Sequence, residues 1–150
     1  QQSLVEWFDK RGESCKYIKA LVLGNGGAAK AVQVALKDLE MEYTLVSRQR
    51  SDDCVSYEGL TQEVIENHRL IINTTPLGTF PNTEECPMIP YQWVTRSHYL
   101  YDLVYNPAET LFLKKGAEQG ATTMNGLKML ELQAEKAWEI WTTEENLWSI

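Results

Sequence analysis

Ala20-Leu21-Val22-Leu23-Gly24-Asn25-Gly26-Gly27-Ala28-Ala29-Lys30-Ala31-Val32 carries the pattern of a strand, a turn and a helix. Four apolar residues read as a short buried strand. A glycine turn follows, and then the opening turns of an amphipathic helix. Gly24, Gly26 and Ala29 fit the spacing of a dinucleotide-binding turn, with alanine at the third place. Gly24 permits a tight turn that a Cβ would obstruct. Gly26 lets the backbone come close to a pyrophosphate, and Ala29 lets the helix lie near the strand. The helix N-terminus then offers free N–H groups and a partial positive charge to phosphates. Such a turn also occurs with no ligand; the strand before it and the helix after it are the context that binding requires.

The second strand, Tyr43 to Ser47, follows the helix Gly27 to Leu39, whose Ala28, Ala31, Val32, Ala35, Leu36 and Leu39 are expected on one face. An NAD site commonly ends this strand in Asp or Glu, which accepts hydrogen bonds from ribose hydroxyls. Here the place holds Ser47, with Arg48 and Arg50 just beyond. A carboxylate repels a 2′-phosphate, whereas a guanidinium pairs with it through a fork of donors. The residues favour NADP over NAD. Arg48, nearest the strand end, is the stronger candidate. The competing reading makes both arginines part of a solvated loop.

Further along, strand and helix alternate. A leading helix covers Ser3 to Lys10, and a short helix covers Leu60 to Asn67. Strands follow at Leu70 to Asn73 and Tyr99 to Val104. A helix over Glu109 to Gln119 ends at the cap Gly120, and a short strand covers Ala121 to Met124. A long helix runs from Gly126 to Trp141, and a last helical turn spans Glu144 to Trp148. This alternation predicts one α/β domain over 1–150: a Rossmann-like, doubly wound, mainly parallel sheet with helices on both faces. In such sheets ligands sit beyond the carboxyl ends of the strands.

Composition narrows the function classes. The 150 residues are 43% hydrophobic and 23% charged, and the net charge is −7. That acidity argues against non-specific binding to nucleic acid or anionic membranes. No apolar run approaches the roughly 20 residues that span a bilayer. No secretory signal is visible. Cys15, Cys54 and Cys86 are scattered, not in metal spacing, and suit a reducing cytosol. His68 and His98 are isolated and read as structural or surface residues. No metal site is expected.

Three clusters lie at predicted strand ends. Asn73-Thr74-Thr75-Pro76-Leu77-Gly78 offers small polar groups that line a cofactor ribose or, alternatively, form a turn with Asn73 bonding nearby backbone. In Tyr101-Asp102-Leu103-Val104-Tyr105-Asn106-Pro107, Asp102 reads as a structural carboxylate rather than a general base, and Tyr105 can aim its hydroxyl at a ligand. Asn125 is a candidate N-cap, and Gly126 permits close approach of a flat ring. Gln133, sharing a face with Met129 and Leu130, is either a substrate donor or plain helix surface. Leu130, Ala134, Ala137, Trp138 and Trp141 form a stripe that reads as core or interface.

In this order the motifs resemble the C-terminal, NADP-binding half of shikimate dehydrogenase. They are Gly24-Asn25-Gly26-Gly27-Ala28, Ser47-Arg48-Gln49, Ile72 to Gly78, Tyr101 to Pro107 with Thr110, and Asn125 to Leu130 with Gln133 and Ala134. The resemblance covers essentially the whole chain. It implies NADPH-dependent reduction of 3-dehydroshikimate to shikimate, on the route to chorismate and the aromatic amino acids. By resemblance, Gly24, Asn25, Gly26, Gly27 and Ala28 surround the pyrophosphate, and Arg48, with Ser47 and Arg50, meets the 2′-phosphate. Asn73, Thr74, Thr75, Leu103, Gly126 and Met129 line the nicotinamide side. Tyr105 and Gln133 reach the substrate. Ser47 stands where the family commonly has asparagine, and Gln49 where it commonly has threonine.

The family's catalytic lysine and aspartate belong to an N-terminal substrate domain, and nothing in these residues replaces them; Lys128 reads as solvated. The chain, which starts at Gln1 rather than Met, reads as the cofactor half of a bilobal enzyme. Helices 3–10 and 126–141 are expected to form the hinge side. Apolar surface around Trp7, Phe8, Leu130 and Trp138 is expected to be exposed and to favour a dimer. The alternatives are a quinate or quinate/shikimate dehydrogenase, the nucleotide half of methylenetetrahydrofolate dehydrogenase, and a free-standing NADP-sensing module. The Tyr105-Asn106-Pro107 and Asn125 to Leu130 segments argue against the second of these.

Overall fold

The computed structural model describes residues 2–148. Its elements are α1 (Gln2–Lys10), β1 (Ala20–Leu23), α2 (Gly27–Asp38), β2 (Tyr43–Ser47), β3 (Cys54–Ser56), α3 (Gln62–Asn67) and β4 (Leu70–Asn73). After these come β5 (Tyr99–Asp102), α4 (Leu111–Glu118), β6 (Thr122–Met124) and α5 (Leu127–Trp148). The strands form one sheet in the order β3-β2-β1-β4-β5-β6, and every pairing is parallel. Strand order reverses beside β1, the switch point of a doubly wound sheet.

The central strands β1, β4 and β5 are buried along their whole length, and the residues of the sheet divide between two cores. Ala20, Val22, Leu45, Leu70, Ile72, Tyr99 and Tyr101 face α1 and α2, where Leu4, Trp7, Phe8, Ala29 and Leu36 pack on them. Leu21, Leu23, Val46, Ile71 and Leu100 face α3 and α4, and meet Ile65, Phe112 and Leu113. This two-sided burial is why the strands read as unbroken apolar runs.

Several boundaries differ from the sequence expectation, each for a local reason. Strand β3 was not foreseen. Its three residues follow Ser51-Asp52-Asp53 and carry no periodicity of their own; they are strand because the edge of β2 pairs with them from Leu45↔Cys54 to Ser47↔Ser56. The inward face of α2 is Ala29, Val32, Leu36 and Leu39, while Ala28 and Ala31 are exposed. The glycine turn presses Ala29 onto the sheet, which sets the phase of the helix. Strand β5 stops at Asp102, not Val104, because the Val104 N–H turns to donate to Asp102 Oδ1 at 3.0 Å. Helix α4 begins at Leu111, not Glu109, because the Thr110 hydroxyl caps it, accepting from Leu113 N at 3.3 Å. Its end matches expectation: Gly120 takes φ +88° and Ala121 N donates to Gly116 O at 3.0 Å, closing a Schellman turn.

Helix α5 is continuous over its 22 residues, where two pieces were expected. No Pro or Gly interrupts 127–148. Trp7 and Phe8, expected at the surface, are buried: α1 lies on the sheet with Trp7 edge-on to Tyr99 at 5.4 Å and Phe8 to Tyr99 at 4.8 Å. Lys128 is partly exposed, as expected, and pairs with Glu6 at 3.8 Å across α1 and α5. Leu130 and Trp138 are exposed at 39% and 67%, as expected, and Ala134 and Ala137 are exposed beside them. The side chain of Trp141 and those of 144–148 lie outside the described residues.

Candidate cofactor site

The carboxyl ends of β2, β1, β4 and β5 lie side by side, because Leu23 is in register with Val46 and Asn73, and Asn73 with Asp102. The turns that leave them therefore form one continuous rim. On β1 the chain leaves through Gly24, at φ +116°, with its N–H donating to Val46 O at 2.8 Å. A Cβ there would collide with Thr74 Oγ1. Only glycine fits, on both conformational and steric grounds.

Gly26 is the N-cap of α2 and provides no side-chain cap, so the first N–H groups of the helix point outward unoccupied by the cap residue. A Cβ added at Gly26 or Gly27 would meet no atom within 4 Å. The protein leaves this space clear beside a positive helix end, a shape suited to a pyrophosphate. A groove of about 950 Å³ continues from it, lined by Asn25, Lys30 and Gln33 on one side and by β2, Arg50, Asp52 and Asp53 on the other.

Past β2, the Ser47 hydroxyl donates to Gln49 O at 2.5 Å and shapes the turn. Arg48 and Arg50 are both exposed, and among the described residues neither is in an ion pair. They stand in different places. Arg50 lines the groove near two carboxylates, which weaken its field. Arg48 lies by Tyr57, where its charge draws the phenol pKa back down against the burial that raises it.

Past β4 and β5 lies a buried polar network. Asn73 and Asp102 have no exposed surface. Asn73 Nδ2 donates to Asp102 Oδ1 at 3.1 Å, and Asn73 Oδ1 accepts from Thr75 N at 3.0 Å and Thr75 Oγ1 at 2.6 Å. Thr110 Oγ1 donates to Asp102 Oδ2 at 2.6 Å. Burial pushes the Asp102 carboxyl up to about 6, against the pull of the donors from Thr110, Val104 and Asn73. Its acceptor capacity is committed to these internal donors, which makes it a structural carboxylate. Asn73, expected to line the cofactor, has no exposed surface, and its side chain shapes the loop. The hydroxyl of Thr74 donates to Leu23 O at 2.6 Å, and Thr74 and Thr75 keep half-buried faces on the rim.

A Cβ on Gly126 would strike the carbonyl of Leu103, so the backbone of the 103–107 segment packs against its α-carbon. Asn125 Oδ1 accepts from Leu127 N at 3.0 Å, fulfilling the capping expectation from one residue further out, and its Nδ2 donates to Ala108 O at 2.9 Å. Tyr105 is 50% exposed and Gln133 is exposed; among the described residues no hydrogen bond engages either side chain.

No family model matches the chain. Against curated proteins it is 38% identical over 136 residues to the shikimate dehydrogenase (NADP(+)) of Methanococcus maripaludis, covering 81% of this chain and 49% of that one. The chain is similar in sequence to about half of that dehydrogenase. It spans about half the length of the curated relatives it matches. Solved structures agree. A chorismate mutase/shikimate 5-dehydrogenase fusion protein from Clostridium acetobutylicum superposes with TM-score 0.78 at 34% identity, over 93% of this chain and 53% of that one. The shikimate 5-dehydrogenase of Thermus thermophilus, solved with NADP(H) and shikimate, gives TM-score 0.76 at 28% identity, over 95% and 55%.

Relative to these shikimate dehydrogenases, the rim gathers Gly24 to Ala28, Ser47, Arg48, Thr74, Thr75, Leu103 and Tyr105 from four separate strand ends. Leu103 and Met129 are half-buried. Lys30 was missed by the sequence reading. It lines the groove one turn into α2, and only its position four residues after Gly26 could have signalled it. Among the described residues no group of His, Cys, Asp and Glu could hold a metal ion, and no helix is long and apolar enough to cross a membrane.

Proposed function

We propose that this chain is the NADP(H)-binding half of a shikimate dehydrogenase, acting with a second half that carries the substrate domain. The identity to NADP(+)-dependent shikimate dehydrogenase over most of the chain carries the reading. The open, uncapped N-terminus of α2 and the two exposed arginines after β2 support it. When bound, NADPH supplies the hydride that reduces 3-dehydroshikimate. The residues of this chain hold and orient. The N–H groups at Gly27 and Ala28 receive the pyrophosphate. Arg48 pairs with the 2′-phosphate, since Arg50 shares its groove with Asp52 and Asp53. Ser47, at the strand end, sets the turn from which Arg48 extends. Thr74 and Thr75 line the nicotinamide side. Tyr105 and Gln133 extend toward the substrate, and the other half supplies the lysine and aspartate that handle the proton.

Helix α5 from Gln133 to Ile140 is exposed all round, with Trp138 at 67% and Ile140 at 54%. An apolar stripe of this kind on a helix that leaves the body is where the second half docks. Three free cysteines fit a reducing cytosol. Calorimetric titration with NADP+ and NAD+ tests the reading. NADP+ is expected to bind more tightly, and Arg48→Ala to remove that preference at a cost of about 1.5–3 kcal/mol, the range for charge-assisted contacts. Equal affinity for the two cofactors in the unmutated chain would overturn it.

A further inference from the structure

We infer that Asp102 is a positioning residue that ties the two rim loops of the cofactor site, 74–78 and 103–107, to a single buried point. Its two oxygens have separate tasks. Oδ1 takes the loop donors: Asn73 Nδ2 at 3.1 Å and Val104 N at 3.0 Å. Oδ2 takes Thr110 Oγ1 at 2.6 Å, which caps α4. Through Asn73 the first arm continues to the N–H and hydroxyl of Thr75, and from that hydroxyl to Leu77 N at 3.3 Å. Through Val104 it fixes the segment on which α5 begins: Gly126 N donates to Val104 O at 3.3 Å, and the Leu103 carbonyl fills the space a Cβ on Gly126 would need. A carboxylate suits the place because it accepts all three donors and offers none. No buried side-chain polar atom among the described residues lacks a partner, so the tie has no slack to absorb a lost oxygen.

The consequence for the site rests on the proposed cofactor reading; the tie itself does not. Amide hydrogen exchange without ligand therefore tests it first. Asp102→Ala is expected to speed exchange at Thr75 and Leu77, on the loop Asp102 does not touch, by about tenfold beyond the change in global stability. Thr110→Val cuts only the Oδ2 arm. It is expected to lower stability while leaving those amides in step with the global change. Asp102→Asn keeps one oxygen for Asn73 and Val104 and offers its amide to the Thr110 hydroxyl, so it is expected to restore slow exchange. If Asp102→Ala does not fold, Asn73→Ala, read at Val104, tests the same tie from the other side. In titrations with NADP+, Asp102→Ala is expected to weaken binding about tenfold, the worth of one lost buried hydrogen bond, and Thr110→Val to change it less than about twofold. Equal effects of Asp102→Ala and Thr110→Val on the Thr75 and Leu77 amides would overturn the inference. Absence of NADP+ binding by the unmutated chain would count against the cofactor reading alone.

Discussion

Asp102 holds its charge where no water reaches it, and this sets a pH response. Its folded pKa is raised from 3.8 to about 6 by burial. A carboxyl raised in the folded state contributes stability that is fully present below its unfolded pKa. That contribution is lost as pH rises through the folded one. Between about pH 4 and 6 the chain is expected to lose on the order of 3 kcal/mol through this residue, at 1.36 kcal/mol per unit. Asp102→Asn does not titrate. Denaturant unfolding at several pH values is expected to show wild type losing stability relative to Asp102→Asn from pH 4 to 6, with a constant difference above. The sequence reading recognised Asp102 as structural because an acid at a strand end beside Pro107 and Thr110 has local groups to bind. It could not see that Asn73, 29 residues away, lies on the adjacent strand in register with it.

At the scale of elements, the helices are decided by what they press against. Gly116 sits inside α4, where alanine is a better helix former by about 1 kcal/mol. A Cβ there would collide with Leu100 Cδ2, and Leu100 is wholly buried on β5. Overpacking costs about 1–3 kcal/mol, so packing outweighs propensity. Gly116→Ala is expected to lower the unfolding free energy by about 1 kcal/mol, measured by urea titration; a gain in stability would mean Leu100 has room to move. The same logic explains which elements were legible. β1, β2 and β4 were readable to the residue because each is a short run rich in apolar and β-branched residues bounded by turn residues. β3 was not, since only the edge of β2 makes it a strand. On α2, Val32, Leu36 and Leu39 face the sheet as expected, but the alanines look alike in sequence, and only contact with the sheet distinguishes Ala29 from Ala28.

At the scale of the whole molecule, the proposed reading places the cofactor rim in this chain and the proton-handling pair in a second half. Purified alone, the chain is expected to bind NADP+ and to show no shikimate-dependent formation of NADPH. Adding a substrate half from a relative is expected to restore turnover by covering the exposed stripe around Trp138; activity of the chain by itself would contradict this division of labour. Local sequence encodes the alternation of strands and helices, the glycine turn and the arginines after β2. These depend on local periodicity and on residue chemistry that acts over a few positions. Long-range packing brings Gly126 against the Leu103 carbonyl, puts Arg48 and Arg50 in different surroundings, and bonds Asn73 to Asp102. Those are contacts between distant segments, and the register of a parallel sheet, which no local pattern encodes, is what brings them together.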